Sequence, residues 1–142
     1  MLEVFRVNFQ DSLFSDVRAI RKEVFVEEQG VDISQEYDEF EDKAFHYLLR
    51  YNSKNIGAAR RRFTNFGVKL ERFAIVKNYR GQGMGKFLVE EVLKDLDANS
   101  VNIYLHAQVQ VVDFYANLNF KKEGPLFEEA GIHHYKMIFK AQ

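Results

Sequence analysis

Three glycines, Gly81, Gly83 and Gly85, crowd the segment YRGQGMGKF, with Arg80 before them and Lys86 directly after. The preceding run LERFAIV reads as a strand ending near Val76. The following residues Phe87, Leu88, Val92, Leu93 and Leu96 keep helical spacing, so a helix starts near Gly83. The first N–H groups of a helix have no internal acceptor and stand at the positive end of its dipole. Glycine leaves them bare of side chains. That combination is an anion site, suited above all to a phosphate or pyrophosphate. Arg80 and Lys86 would add charge at its rim.

Two familiar phosphate loops do not fit. A Walker A loop requires glycine where Arg80 stands and Ser or Thr where Phe87 stands. A dinucleotide fingerprint begun at Gly81 requires glycine at the position of Lys86, and no acidic residue follows the next strand, VNIYLH.

Positioning this loop requires a strand before it and a sheet around it. EVFRVNF reads as a first strand, followed by a helix to about residue 27 that Asp11 or Ser12 would cap. The acidic stretch EEQGVDISQEYDEFEDKA reads as a loop with a short helix. FHYLLRY, IGAARRRF and VKLERFAIV, separated by the turns NSKN and TNFG, read as an antiparallel meander. After the glycine helix come a buried strand VNIYLHA, a short helix VVDFYANL, and a final hairpin of FKKEG with HHYKMIFK. The order β-α-β-β-β-α-β-α-β-β lacks the strict alternation of a doubly wound fold. We expect an α/β (α+β) domain covering 1–142, with a mixed, mainly antiparallel sheet of about six to seven strands and helices on both faces.

The chain has 142 residues, 46% hydrophobic and 29% charged, which suits one globular domain. A net charge of -1 offers no basic field for nucleic acid. In ARRRF, strand alternation divides Arg60 and Arg62 from Arg61, so an ion pair is expected there. Cysteine is absent, which removes disulfides, thiolate metal ligands and a cysteine nucleophile, and agrees with a cytoplasmic location. The N-terminus has no apolar signal core, and no run is long enough to span a membrane. His133 and His134 would point to opposite faces of a strand, so no metal site is expected.

Arg80, Gly83 and Gly85 do match the pattern Arg/Gln-x-x-Gly-x-Gly/Ala. The chain therefore resembles the GNAT acetyltransferase superfamily over nearly its whole length, the strand and helix order included. FYANLNF resembles a second family feature, F-Y-x-x-x-G-F, with Asn119 at the glycine position, where asparagine tolerates a left-handed backbone. VFVEEQGV, QEYDEFED with His46 after it, NIYLHAQVQVVDFY and GIHHYKM resemble stretches of the small ElaA/YjcF-like branch.

The resemblance implies an N-acetyltransferase that uses acetyl-CoA as co-substrate, with no metal. It implies that the backbone of Phe73, Ala74 and Ile75 pairs with pantetheine. The N–H groups of Gly81, Gln82, Gly83, Met84, Gly85 and Lys86 would cradle the pyrophosphate, and Arg80 would order the loop or touch phosphate. Gln108 stands where relatives carry an asparagine that touches CoA. Tyr115 stands where the family protonates the leaving thiolate. A neutral amine attacks the thioester, so a base must take its proton. Without cysteine, direct transfer is favoured over an acetyl-enzyme.

For the base, Glu71 is the candidate. Strand alternation would place it with Phe73 and Ile75 on one face, where an apolar neighbour would raise its pKa. The alternative is a carboxylate paired with Arg60, Arg61 or Lys69. For the acceptor, Glu28, Asp38 or Asp42 of the acidic stretch would select a cationic amine, against the alternative of a solvated loop. His46 and His134 are further acceptor-side candidates, and for His134 a structural hydrogen bond is as good an account. The acceptor itself, a small amine, an amino sugar or a peptide amine, is left open. A rival function is a CoA-binding sensor without turnover. Edge strands leave a homodimer open.

Overall fold

A computed structural model describes residues 1–140. Strand β1 (Leu2–Val7) leads to helix α1 (Phe14–Arg21), which continues as a wider π-helical stretch over Lys22–Glu28 and is followed by the short α2 (Ile33–Glu36). The meander is β2 (Phe45–Tyr51), β3 (Lys54–Thr64) and β4 (Gly67–Ile75). A 3-10 turn, Lys77–Tyr79, precedes α3 (Met84–Lys94). Then come β5 (Ile103–Gln108), α4 (Val112–Ala116), β6 (Phe120–Lys122), β7 (Phe127–Glu129) and β8 (Ile132–Phe139).

The strands form one 8-stranded sheet in the order β1-β2-β3-β4-β5-β8-β6, with β7 paired to β8. The expected six to seven strands omitted β7, because only Phe127, Glu128 and Glu129 build it. That strand makes the tight hairpin with β8, while β6 also pairs β8 antiparallel. Among the described residues only β4 and β5 run parallel, joined by the crossover through α3. No helix among the described residues is long and apolar enough to cross a membrane.

Two apolar clusters cover the two faces. On one, α3 buries Leu88, Val89 and Val92 against Leu49, Leu70 and Leu105. On the other, α1 buries Phe14, Val17 and Ile20 against Leu48, Ala58 and Ala74. Neither Asp11 nor Ser12 caps α1: its N-cap is Leu13, and the Asp11 carboxylate accepts the N–H of Asn8 instead (2.8 Å). Asn119 holds φ 72°, the left-handed turn expected at that position.

Two irregularities shape the centre. The parallel ladder between β4 and β5 joins Val68 to Ile103, Lys69 to Tyr104 and Leu70 to Leu105, and ends there. Just beyond, Arg72 has φ 59°, and the β3–β4 register shifts between Ala58 and Arg60. The extra residue is a bulge, which bends a strand and re-aims its side chains. Glu71 therefore faces the α1 side with Arg60, while Phe73 packs into the cluster under α3. The expected sharing of one face by Glu71, Phe73 and Ile75 does not hold, because simple alternation ends at Arg72.

Candidate active site

The separation of β4 from β5 opens a cavity of about 1160 Å³. Phe73, Ala74 and Ile75 line it. One side of this stretch pairs with β3, through Ala58–Ala74 and Gly57–Ile75. The other side has no strand partner, because the β5 ladder has already ended. An unpaired strand edge offers N–H and C=O groups to an extended ligand.

The glycine loop closes one end. Gly81 and Gly83 have φ 75° and 84°, and a Cβ at either would meet nothing within 4 Å. Glycine is required there by the backbone and by the space kept open above it. Gly85 has a different reason: a Cβ would come within 3.3 Å of the Phe114 ring, so glycine lets α3 and α4 approach. Gly83 is the N-cap of α3 and supplies no side-chain cap. The first bond back into the loop is Phe87 N–H to Gly83 O (3.1 Å), so the N–H groups ahead of it have no helical acceptor. Gly81, Gly83, Met84, Gly85 and Lys86 line the cavity. Gln82 turns away, donating to Asn78 O (3.2 Å).

Arg80 orders this loop. Its Nε donates to Ile75 O (2.7 Å), tying loop to strand, and its Nη2 reaches Glu28 (2.8 Å). Glu28 is thus held against Arg80 at the loop end and lies outside the cavity lining, not on an acceptor wall as expected. Gln108 lines the cavity and bonds Gln29 (3.0 Å) and Gln110 (2.6 Å).

Tyr115 reaches the cavity from α4, its ring edge-on to Phe73, Phe114 and Phe120. Its hydroxyl makes no hydrogen bond among the described residues. Burial pushes its pKa up, so the phenol stays protonated and able to donate.

Glu71 lines the opposite end but lacks the raised pKa expected of a base. Burial alone would push its pKa up, yet Arg60, Lys69, Arg62 and Arg72 together hold it below the usual value. It accepts from Arg60 Nε (2.7 Å) and Arg62 Nε (2.8 Å), with Lys69 Nζ at 3.3 Å. The ion-pair alternative is the one realised.

Asp38 also lines the cavity, but Arg60 grips it at 2.7 Å and 2.8 Å, with Arg72 at 3.3 Å. Arg21, fully buried, binds Glu36 (2.5 Å) and Glu41 (2.9 Å). Much of the acidic stretch is therefore neither a solvated loop nor a free cation selector. It is neutralised from below by arginines of α1, β3 and β4. Asp42 is exposed and outside the cavity.

His46 is buried against Phe14, outside the cavity lining, with Nε2 at 2.9 Å from Glu41 O. Burial pushes its pKa down, and it serves the packing of the acidic segment. His134 does line the cavity, with Nδ1 donating to Ile132 O (2.7 Å) and its ring stacked on Phe127. Both accounts of His134 thus fit.

The residues missed by sequence reasoning are His106 and Glu129. His106 follows Leu105, the last residue paired with β4, and lines the cavity at the point of separation. Its Nδ1 is 3.1 Å from Glu129 Oε2 of β7. A carboxylate only accepts, so Nδ1 carries a proton, and in the neutral ring Nε2 is the acceptor. The hydrogen bond from His106, against the opposing effect of burial, holds the Glu129 carboxyl down at about 2. Nothing local marked this pair, because the two residues meet only through β8.

A sheet parted between two parallel strands, with a glycine-started helix beside the gap, is the fold of acyl-CoA N-acyltransferases. The chain belongs to the GNAT acetyltransferase family, whose domain model, Acetyltransferase (GNAT) domain, matches residues 12–141. It is similar to the uncharacterised N-acetyltransferase YjcF of Bacillus subtilis, 34% identical over 128 residues, 87% of this chain and 89% of that protein. Its fold is similar to that of Escherichia coli ElaA, with TM-score 0.85, 24% identity and coverage of 99% and 100%. A GNAT family acetyltransferase from Elizabethkingia anophelis, solved with acetyl-CoA bound, shares the fold at TM-score 0.68 and 16% identity, with coverage of 96% and 94%. Among the described residues no group of three or more His, Asp or Glu is arranged to hold a metal.

Proposed function

We propose that this protein is an acetyl-CoA-dependent N-acetyltransferase that passes the acetyl group directly to a primary amine. The observation that carries it is the unpaired edge of β4 running into the free N–H groups of α3. A ligand fitting both must be extended and amide-bearing along one part and anionic at the other, as pantetheine pyrophosphate is. Acetyl-CoA supplies an activated thioester, and everything else falls to the protein.

Residues 81–86 hold the pyrophosphate through backbone N–H groups, and Arg80 keeps that loop against Ile75. The edge of Phe73, Ala74 and Ile75 pairs with the pantetheine amides. Tyr115 donates its phenolic proton to the leaving thiolate. His106, oriented by Glu129, takes the amine proton at Nε2, directly or through water. Glu71 is reassigned from base to anchor, holding Arg60, Arg62 and Lys69 around the acceptor end.

The test is calorimetry with acetyl-CoA, then release of free CoA thiol across a panel of amines. Binding with thiol release that Tyr115→Phe slows supports the proposal. No acetyl-CoA binding overturns it. Binding without release on every amine points to a sensor.

A further inference from the structure

Resting on that proposed reaction, we infer that the acceptor is an amine that also carries an anionic group, a carboxylate or a phosphate. The acceptor end of the cavity is lined by Arg62, Lys69 and Arg72 of β3 and β4 and by His106 and Glu129 of β5 and β7.

What matters is which groups retain unused bonding capacity. Glu36 accepts a hydrogen bond from Arg21 (2.5 Å) with one oxygen and stands in ion-pair contact with Arg72 Nε (2.8 Å) through the other. Both oxygens of Asp38 face Arg60, at 2.7 Å and 2.8 Å. In Glu71, one oxygen holds Arg60 and Arg62 and the other faces Lys69 at 3.3 Å. Each of these three carboxylates is already matched by a cation, while Glu129 uses Oε2 on His106 and keeps Oε1 unpaired among the described residues.

The cations do have donors to spare. Arg62 uses Nε on Glu71, and its guanidinium carbon lies over the Phe40 ring, 3.9 Å from the centroid. Neither of its terminal nitrogens makes a hydrogen bond to a described residue, and neither is a fully buried, partnerless atom, so both keep some solvent exposure, and Arg62 lines the cavity. Lys69 makes one contact with an ammonium that has three donors. A planar guanidinium fork beside an ammonium matches an oxyanion.

The arrangement is polar along the acceptor. Arg62 and Lys69 hold the anionic group, and the amine turns to His106 on the neighbouring strand β5. The nearby cations favour the neutral form of that amine, the form that attacks. A second positive charge on the acceptor would meet the same cations and be repelled. This reverses the sequence-based expectation of a cationic acceptor selected by Asp38.

The experiment compares four short primary amines: β-alanine, phosphoethanolamine, ethanolamine and putrescine. Binding is titrated into CoA-saturated protein, and kcat/KM is read from thiol release with acetyl-CoA. At least one anionic amine is expected to exceed ethanolamine by about tenfold or more in both readouts, with putrescine poorest. Which anionic amine leads separates carboxylate from phosphate. Arg62→Gln is expected to shrink the advantage over ethanolamine while leaving acetyl-CoA affinity unchanged. Equal or better binding and use of ethanolamine or putrescine overturns the inference even when acetyl-CoA binds and turns over. Failure of both anionic amines to bind the CoA-saturated protein also overturns it. Failure of acetyl-CoA itself to bind is distinct, and removes the proposed reaction beneath it.

Discussion

Leu70 and Leu105 are the last residues that β4 and β5 share. Immediately beyond them, Glu71 enters an ion-pair cluster and His106 turns to Glu129. Where the ladder ends, the bare edge of β4, the proposed base and the acceptor end all begin. Both leucines are buried with Leu88 and Val89 of α3, so the helix that presents the glycine loop also clamps the point where the strands part.

Replacing Gly83 should separate binding from folding. Gly83→Val places a branched side chain at φ 84°, on the open side of the loop. The strain is about 1–2 kcal/mol, and no protein atom obstructs the new Cβ. Far-UV circular dichroism should show a retained fold with a Tm lower by a few degrees, while calorimetry should show acetyl-CoA binding lost. Unaltered affinity would mean that the loop does not hold the phosphates.

Tyr115→Phe removes only a hydroxyl that has no hydrogen-bond partner among the described residues. Thermal stability should change little. The kcat should fall about a hundredfold, with the KM for acetyl-CoA unchanged. An unchanged kcat would leave Tyr115 as a core aromatic among Phe73, Phe114 and Phe120.

His106→Gln should also lower kcat by about a hundredfold without weakening acetyl-CoA binding. Glu129→Gln should cost less, about tenfold, because the imidazole remains but loses the acceptor that orients it. Glu71→Gln, by contrast, should show itself mainly in urea unfolding, since it strips charge from the partners of Arg60 and Arg62. If Glu71→Gln abolishes turnover in a stably folded protein while His106→Gln does not, the roles assigned to them are reversed.

The acidic cluster sets an acid limit on stability. Burial would push the Asp38 carboxyl up, but Arg60 and Arg72 outweigh it and lower it from 3.8 to about 2. As pH falls, the unfolded chain takes up this proton before the folded one does. The stabilisation is therefore complete above about pH 4 and lost on approach to about pH 2. It amounts to about 1–2 kcal/mol once solvent screening of this partly exposed carboxylate is counted. Asp38→Asn should lose roughly that at pH 7 and show a flatter dependence of urea midpoint on pH between about 5 and 2.

The glycine loop was legible because its chemistry is local. A helix start with bare N–H groups and left-handed backbone leaves glycine at defined positions, and Gly81 and Gly83 mark it. The separation of Arg61 from Arg60 and Arg62 also followed from strand alternation: Arg61 bonds the Tyr47 hydroxyl (2.9 Å), and the other two bond Glu71. The face of Phe73 was misjudged because the bulge rests on Arg72, not on a glycine that would have announced it. The surroundings of Glu28, Asp38 and His46 were hidden for one shared reason. Their partners, Arg80, Arg60 and the Glu41 carbonyl, were not identifiable from strand and helix patterns.

Spacing and composition within a few residues set most of the order of strands and helices, the glycine loop at the start of α3 and the lack of a cysteine nucleophile. Only the tertiary structure decided where β4 leaves β5, which acids remain free and which histidine meets a carboxylate. Those outcomes depend on contacts between residues far apart in the chain, such as His106 with Glu129 and Arg60 with Asp38. In a buried site the bonding capacity left over after such pairing decides the chemistry, and that remainder exists only once the chain has folded.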